Sequence, residues 1–313
     1  MNDGRHSSRQ GPALSVVVAS YNAAQTIQGC LRSLLSQETE EDFEIIVVDS
    51  STDSTPELVE EEFPKVRLYR FPKRKFCGDA RNIGVSVAKA DIIALTDADC
   101  TAPRTWVAQI IQAHQSSYSA IGGAIANAEP NGLIGWAAYF CEFSRWMPGT
   151  EPRWLDDIAG ANMSYKKNVF DTYGPFLGGT YCSDSEFHWR LGRAGQRLRF
   201  LPDIVVSHHS IANLREFVQH EFEHGRCFAR VRQQGRCFSR LRRLAYVVLS
   251  PLIPLKILLN VLSNNTRNRV YLTHFLSALP LVALGIASWS MGETAGYAAG
   301  YQGVTAGPRW RAV

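Results

Sequence analysis

The chain has 313 residues, 45% of them hydrophobic and 20% charged. That apolar share supports a buried core and excludes wholesale disorder, and the length allows one large domain or two ordinary ones. A net charge of +4 is too mild to point to nucleic acid, and seven scattered cysteines with no Cys-x-x-Cys pair argue for reduced thiols rather than a disulfide scaffold.

Residues 1–12 are polar, with Arg5 and Arg9 but no apolar stretch behind them, so a loose tail and no export signal are expected. Leu14 to Ser20 is a continuous β-branched run, as in a strand covered on both faces. Ala24 to Gln37 carries Ile27, Leu31, Leu34 and Leu35 at helical spacing. Phe43 to Asp49 reads as a second buried strand, followed by a helix with Ser and Thr cap candidates, Pro56 in its first turn and early acids. A short strand over Val66 to Arg70, a helix over Asp79 to Ala88 and a long strand over Asp91 to Asp99 complete the series. Such alternation implies right-handed βαβ units and an α/β fold with a mostly parallel sheet, whose ligands bind at the carboxyl ends of the strands.

The middle third is less regular. Helices are predicted over Pro103 to Ser117, Leu133 to Trp146 and Asp184 to Ala194, and strands over Ala120 to Ala126, Ile158 to Tyr165 and Ile204 to Ser207. Trp136, Tyr139, Phe140, Phe143 and Trp146 recur at roughly helical spacing and read either as a sugar- or lipid-stacking surface or as a core seam. From Asn213 to Arg243 eight Arg face three Glu. Two apolar runs follow, Leu244 to Leu262 (interrupted by Pro251, Pro254 and Lys256) and Val270 to Ser290, the latter near the ~20 residues that a bilayer-spanning helix needs. The two runs read either as buried core helices or as membrane segments, and basic residues ahead of them favour membrane contact. If both runs span, Arg267 and Arg269 fall on the far side, against the usual charge bias, so the proline-broken run lies in the interface or re-enters as an alternative. The expected organisation is a tail over 1–12, a catalytic domain over 13–240 and membrane-associated helices over 241–313.

Asp97-Ala98-Asp99 is the sharpest chemical feature. Two carboxylates at i and i+2 after a buried strand suit a hard divalent cation, Mg²⁺ or Mn²⁺, which bridges phosphate oxygens and takes up charge on a leaving diphosphate. Asp49, ending the second strand, reads either as an acceptor for a nucleobase or ribose or as a helix-capping acid. Tyr21 and Asn22 follow the first strand. Arg81 is a candidate for phosphate, whereas the neighbouring Lys73-Arg74-Lys75 run reads as a solvated loop. His220, His224, Cys227 and Cys237 fit no usual zinc spacing.

The segments VVVASYN, FEIIVVDSSTDST, ARNIGVSVAKADIIALTDAD and SDSEFHWRLGRAGQ, in this order, resemble family 2 glycosyltransferases of the GT-A fold, from about Leu14 to about Arg230. GANMSYKKNVF resembles the acceptor-side strand and turn of that family, and the apolar C-terminal segment resembles membrane tails of some bacterial members. The resemblance implies that Ala19, Tyr21, Asn22 and Asp49 line the nucleotide pocket with Arg81 beside it. It further implies that Asp97 contacts the nucleotide-sugar, Asp99 holds the metal with His208 (His209 being its adjacent alternative), and Asp184 is the catalytic base. Where the family often has Glu-Asp, this chain has Ser183-Asp184. The Gln-x-x-Arg-Trp element of processive members is missing, which favours transfer of one sugar per encounter. The implied reaction is inverting and metal-dependent, from a nucleotide-diphosphate sugar, a UDP-sugar first, to a lipid-linked or cell-envelope hydroxyl, at the cytoplasmic face of a bacterial inner membrane. Two rivals stand beside it: a non-catalytic membrane-associated module that binds nucleotide-sugar, and a nucleotidyltransferase, although the glycine-rich basic loop expected of the latter is missing after the first strand. A dinucleotide-binding dehydrogenase is disfavoured because no G-x-G-x-x-G follows that strand.

Overall fold

The computed structural model describes residues 11–128 and 132–300; of the expected N-terminal tail only Gly11 and Pro12 fall within it. The elements run β1 (Leu14–Ser20), α1 (Ile27–Leu35), β2 (Phe43–Asp49), α2 (Thr55–Glu62), β3 (Arg67–Arg70), α3 (Cys77–Val87), β4 (Ile92–Asp97), β5 (Cys100–Thr101), α4 (Trp106–Ala113), β6 (Ala120–Asn127), α5 (Gly132–Phe143), β7 (Arg153–Leu155), β8 (Asn162–Lys166), α6 (Asn168–Tyr173), α7 (Ser183–Arg193) and β9 (Leu198–His208). Four helices close the described chain: α8 (Leu214–Gly235), α9 (Arg240–Val248), α10 (Ile253–Asn268) and α11 (Leu272–Ala299).

The strands form one sheet in the order β3-β2-β1-β4-β8-β6-β9-β5, with β7 paired to β9. The first four are parallel, as the βαβ alternation predicts. Beyond β4 the sheet is mixed: β8 is antiparallel to β4 and β6, β6 is parallel to β9, and β5 is antiparallel to β9. β9 is much longer than the strand predicted at Ile204 to Ser207, and its pairing with β6 shifts register between Gly123 and Ala124. The irregularity brings Pro202 and Asp203 into the strand.

Alternation along the strands feeds two cores. Val16, Val18, Ile45 and Val47 point to one face and pack with α1, α4 and α5, including Trp106 and Phe140. Val17, Ile46, Val48, Ile93 and Leu95 point to the other and pack with α3 and α7, including Phe187 and Leu191. Each such side chain contributes about 1.5–3 kcal/mol by leaving water. The aromatic run of α5 is a core seam, not a stacking surface: Tyr139 and Phe140 are fully buried, and Tyr139 donates to the Ile125 carbonyl. An amphipathic register cannot tell a ligand surface from a covered face; here β6 and α11 cover it.

Among the described residues one helix, α11, is long and apolar enough to cross a membrane. It does not stand apart from the sheet. Phe275, Ala278, Val282 and Ile286 join the core that contains β1 and α5, and α11 runs along α8. The proline-rich run divides into α9, a 3-10 turn at Ser250–Leu252 and α10, bent by 52°. No residue of α9 is buried, and Leu241, Leu244, Val248, Leu249, Leu252, Leu255 and Leu259 are exposed.

Candidate active site at the strand ends

Register alone gathers the acidic residues. Ser20 of β1 pairs with Asp49 of β2, and Ala19 pairs with Asp97 of β4, so three adjacent parallel strands end side by side. After β4 the chain turns at Ala98-Asp99 into β5, where Cys100 pairs with His208 of β9. That pairing brings the His208 Nε2 atom to 3.4 Å from Asp99, while the neighbouring His209 gives only its backbone N–H to the Asp99 carbonyl.

Arg81 of α3 is the centre of the charge cluster. Its guanidinium is 3% exposed and donates to Asp97 at 2.9 Å and to the Gly160 carbonyl at 3.1 Å, with Asp184 at 4.0 Å. Burial would lower the Arg81 pKa, but the two carboxylates raise it, so the group is fixed as a cation. The buried guanidinium thus holds the Asp97 and Asp184 carboxylates together. Burial pushes Asp97 upward, with Asp99 adding to it, against the pull of Arg81. Asp184 is the second residue of α7, and its carboxylate accepts from the Ser185 N–H. The half-buried Cys77 thiol reports how closely these groups converge: desolvation foremost, with Asp97, Asp184 and Asp99 adding and Arg81 opposing, lifts it to about 11.

Asp99 and His208 pair at the other end of the cluster. Burial works against the Asp99 carboxylate, but His208 holds it below the ordinary range. Burial likewise would lower His208, yet Asp99, with Glu142 and Asp97, lifts it to about 9. Among the described residues the grouping of possible metal-ligating side chains is Asp99, Cys100 and His208, with ligand atoms within 4.8 Å of one another. The Cys100 thiol is raised well above its ordinary value by burial and then by Asp99 and Asp97, so it stays protonated and its S–H donates a hydrogen bond to Asp99. The Asp99 carboxylate remains, with the His208 imidazole once it gives up its proton, and this oxygen and nitrogen donor pair fits a hard or borderline cation such as Mn²⁺ or Mg²⁺.

The loops after β1 and β2 are stitched together. Asn22, in the left-handed region at φ 51°, donates its N–H to the Ser51 hydroxyl and accepts from the Thr52 N–H. Asp49 is fully buried and both its oxygens accept from Ser51, one from the N–H and one from the hydroxyl. Ala19 is buried, and Tyr21 and Asn22 are exposed on this rim.

Several residues at the site were not singled out by sequence reasoning. Arg74, read as part of a solvated run, stacks over Tyr21 at 4.3 Å and donates to the Tyr181 hydroxyl at 2.6 Å. It lines a cavity of about 580 Å³ with Tyr181, His220, His224, Arg226 and Arg230. Asp157 accepts from the Ser185 hydroxyl and pairs with His188 Nδ1, whose Nε2 meets the Tyr165 hydroxyl at 2.6 Å; this buried chain holds the first turn of α7 under Asp184. Its members are 23 and 31 residues apart, so no local pattern announces it.

Residues 15–174, just over half of the chain, match the profile of Glycosyl transferase family 2. Glycosyltransferase AglE of Haloferax volcanii is 27% identical over 211 residues, which cover 63% of this chain and 67% of AglE. The mannosyltransferase PcManGT of Pyrobaculum calidifontis, solved with GDP-Man and Mn²⁺, superposes with a TM-score of 0.58 at 19% identity over 92% of this chain and 86% of that one. Residues 1–349 of S. aureus TarS, solved with UDP-GlcNAc, give a TM-score of 0.52 at 17% identity over 92% of each chain. Both superpositions show the same fold, with its mixed sheet and flanking helices. The matched profile runs from β1 through α6 and includes the strand ends that carry Asp49, Asp97 and Asp99, so the chain belongs to glycosyl transferase family 2.

Proposed function

We propose that the protein transfers one sugar, with inversion, from a nucleotide-diphosphate sugar to an acceptor hydroxyl, and that Asp184 is the base. The observation that carries this reading is the cluster in which one buried guanidinium, Arg81, bridges Asp97 and Asp184 beside the Asp99–His208 pair. In this reading the rim of Ala19, Tyr21, Asn22 and Asp49 holds the nucleotide, with Arg74 stacked on Tyr21 as its outer wall. Asp97 meets the donor sugar. Asp99 and His208 would hold a divalent cation, which when bound neutralises the departing diphosphate. Asp184 takes the acceptor proton as the hydroxyl attacks the anomeric carbon from the face opposite the diphosphate, through an oxocarbenium-like state. Arg81 keeps that carboxylate in place from behind, and the Asp157–His188–Tyr165 chain fixes the turn that carries it. The 580 Å³ cavity beside Tyr181 is the proposed acceptor side; its arginines suit an acceptor that bears phosphate, as a lipid-linked one does.

We further propose that residues 13–240 form the catalytic domain and that the helices after it rest on the cytoplasmic face of a membrane. The exposed leucines of α9 and α10 and the arginines before them support this, as do seven free thiols. The close docking of α11 on α8 favours a protein lying on the bilayer over one anchored by a free span.

The test is release of nucleoside diphosphate by the full chain, with membranes as acceptor, across UDP- and GDP-sugars and with Mn²⁺, Mg²⁺ or chelator. A UDP-sugar is the donor of first choice. Asp184→Asn should lower turnover by about 10²–10⁴-fold, the usual worth of a general base, while donor affinity stays near that of the wild type. Release of pyrophosphate would instead favour nucleotidyl transfer, donor binding without consumption a non-catalytic module, and wild-type turnover by the variant would remove Asp184 from the mechanism.

A further inference from the structure

A second cavity, of about 640 Å³, opens between α8, α9, α10 and α11, on a different face of α8 from the arginine-lined one. Its walls are apolar, built by Phe228, Tyr246, Leu249, Ile257, Ile286 and Trp289. Leu249 and Leu252 form its rim and continue into the exposed Leu244, Val248, Leu255 and Leu259. Polar groups are few and unbalanced. Arg232 is paired with Glu293, at 3.5 Å, whereas Lys256 has no ion pair among the described residues. Glu221 lines the same cavity at 2% exposure, and its Oε1 atom has no hydrogen-bond partner; the Arg232 Nε–H has none either. Burial, with the charge of Glu142 adding to it, pushes the Glu221 carboxyl well above the ordinary range, so the group is a neutral hydrogen-bond donor. An uncharged carboxyl and a spare N–H inside, an unpaired ammonium at the mouth and a leucine rim outside match an amphiphile with ester oxygens and a negative headgroup. A water-soluble ligand would leave the rim unaccounted for.

We propose that this cavity seats one hydrocarbon chain of an anionic phospholipid, with its phosphate against Lys256 and its ester oxygens toward Glu221 and Arg232. The site is separate from sugar transfer but rests on the membrane association proposed above. Its contribution comes chiefly from the chain, since each buried methylene adds to the affinity.

The test uses the full chain and two readouts, flotation with phosphatidylcholine vesicles with and without phosphatidylglycerol, and native mass spectrometry of lipid retained after detergent extraction. Ala245 and Asn260 line the cavity from exposed positions, so the double variant Ala245→Trp, Asn260→Trp fills it without disturbing a core. The wild type should float and retain one phosphatidylglycerol; the filled variant should retain about tenfold less or lower. Lys256→Gln should abolish the preference for phosphatidylglycerol over phosphatidylcholine. Equal retention by the filled variant, or a wild type without preference, would overturn the lipid site while leaving membrane association standing. A wild type that does not float would overturn both.

Discussion

Gly160 sets the spacing of the groups that meet at the strand ends. A Cβ there would come within 2.5 Å of Asp184 Oδ2 and 2.8 Å of Arg81 Nη2, so one or both of these side-chain ends must shift. Gly160→Ala should therefore lower turnover by about 10²-fold, the cost of a misplacement near 1 Å, with a smaller change in melting temperature. His114 makes a different residue-scale prediction. It is buried against the Ser164 hydroxyl, and burial lowers its pKa to about 4 from 6.5, with Lys166 adding to the effect. The unfolded chain thus binds the extra proton between these values. The contribution is fully present above pH 6.5 and is lost as pH falls through 4, by up to a few kcal/mol. Denaturant midpoints at pH 7 and pH 5 should fall further apart for the wild type than for His114→Gln, and equal differences would refute the assignment. The acids of the site were legible because they stand at the ends of strands that the sequence marks clearly. Arg74 and the Asp157–His188 pair were not, because a long basic side chain in a loop and a hydrogen-bonded pair 31 residues apart carry no local signature.

At the scale of elements, the parallel strands were readable to the residue at β1 and β2, since buried runs of β-branched residues have few other uses. β8 was not: its predicted start at Ile158 falls in a loop, and pairing begins only at Asn162, leaving Gly160 free to approach Arg81. The apolar run of α11 was legible, but its role was not. Gly292 faces the Phe222 carbonyl of α8 and Gly225 of α8 faces the Trp289 carbonyl, so the two helices touch through their backbones. Gly292→Val would drive a branched side chain into that carbonyl. Overpacking of this kind costs about 1–3 kcal/mol, so the variant should show a lower melting temperature and faster proteolysis within α11. Unchanged protection would mean that the α8–α11 contact is not tight.

For the molecule as a whole, the proposed membrane contact rests on the exposed aliphatic surface of α9 and the turn after it. The triple variant Leu244→Glu, Val248→Glu, Leu252→Glu touches no buried residue and should lose flotation with anionic vesicles while keeping nucleoside diphosphate release toward water. Retained flotation would locate the membrane contact elsewhere. The amino-acid sequence by itself determined the βαβ alternation, the carboxylates at its strand ends and the basic-then-apolar character of the last third, because each of these is a short-range pattern of burial or charge. Tertiary structure decided the rest: that Arg81 turns inward to bridge Asp97 and Asp184, that His208 and not its neighbour faces Asp99, and that α11 lies against α8. Those outcomes depend on sheet register and on backbones in close contact across long stretches of chain, which no window of sequence records.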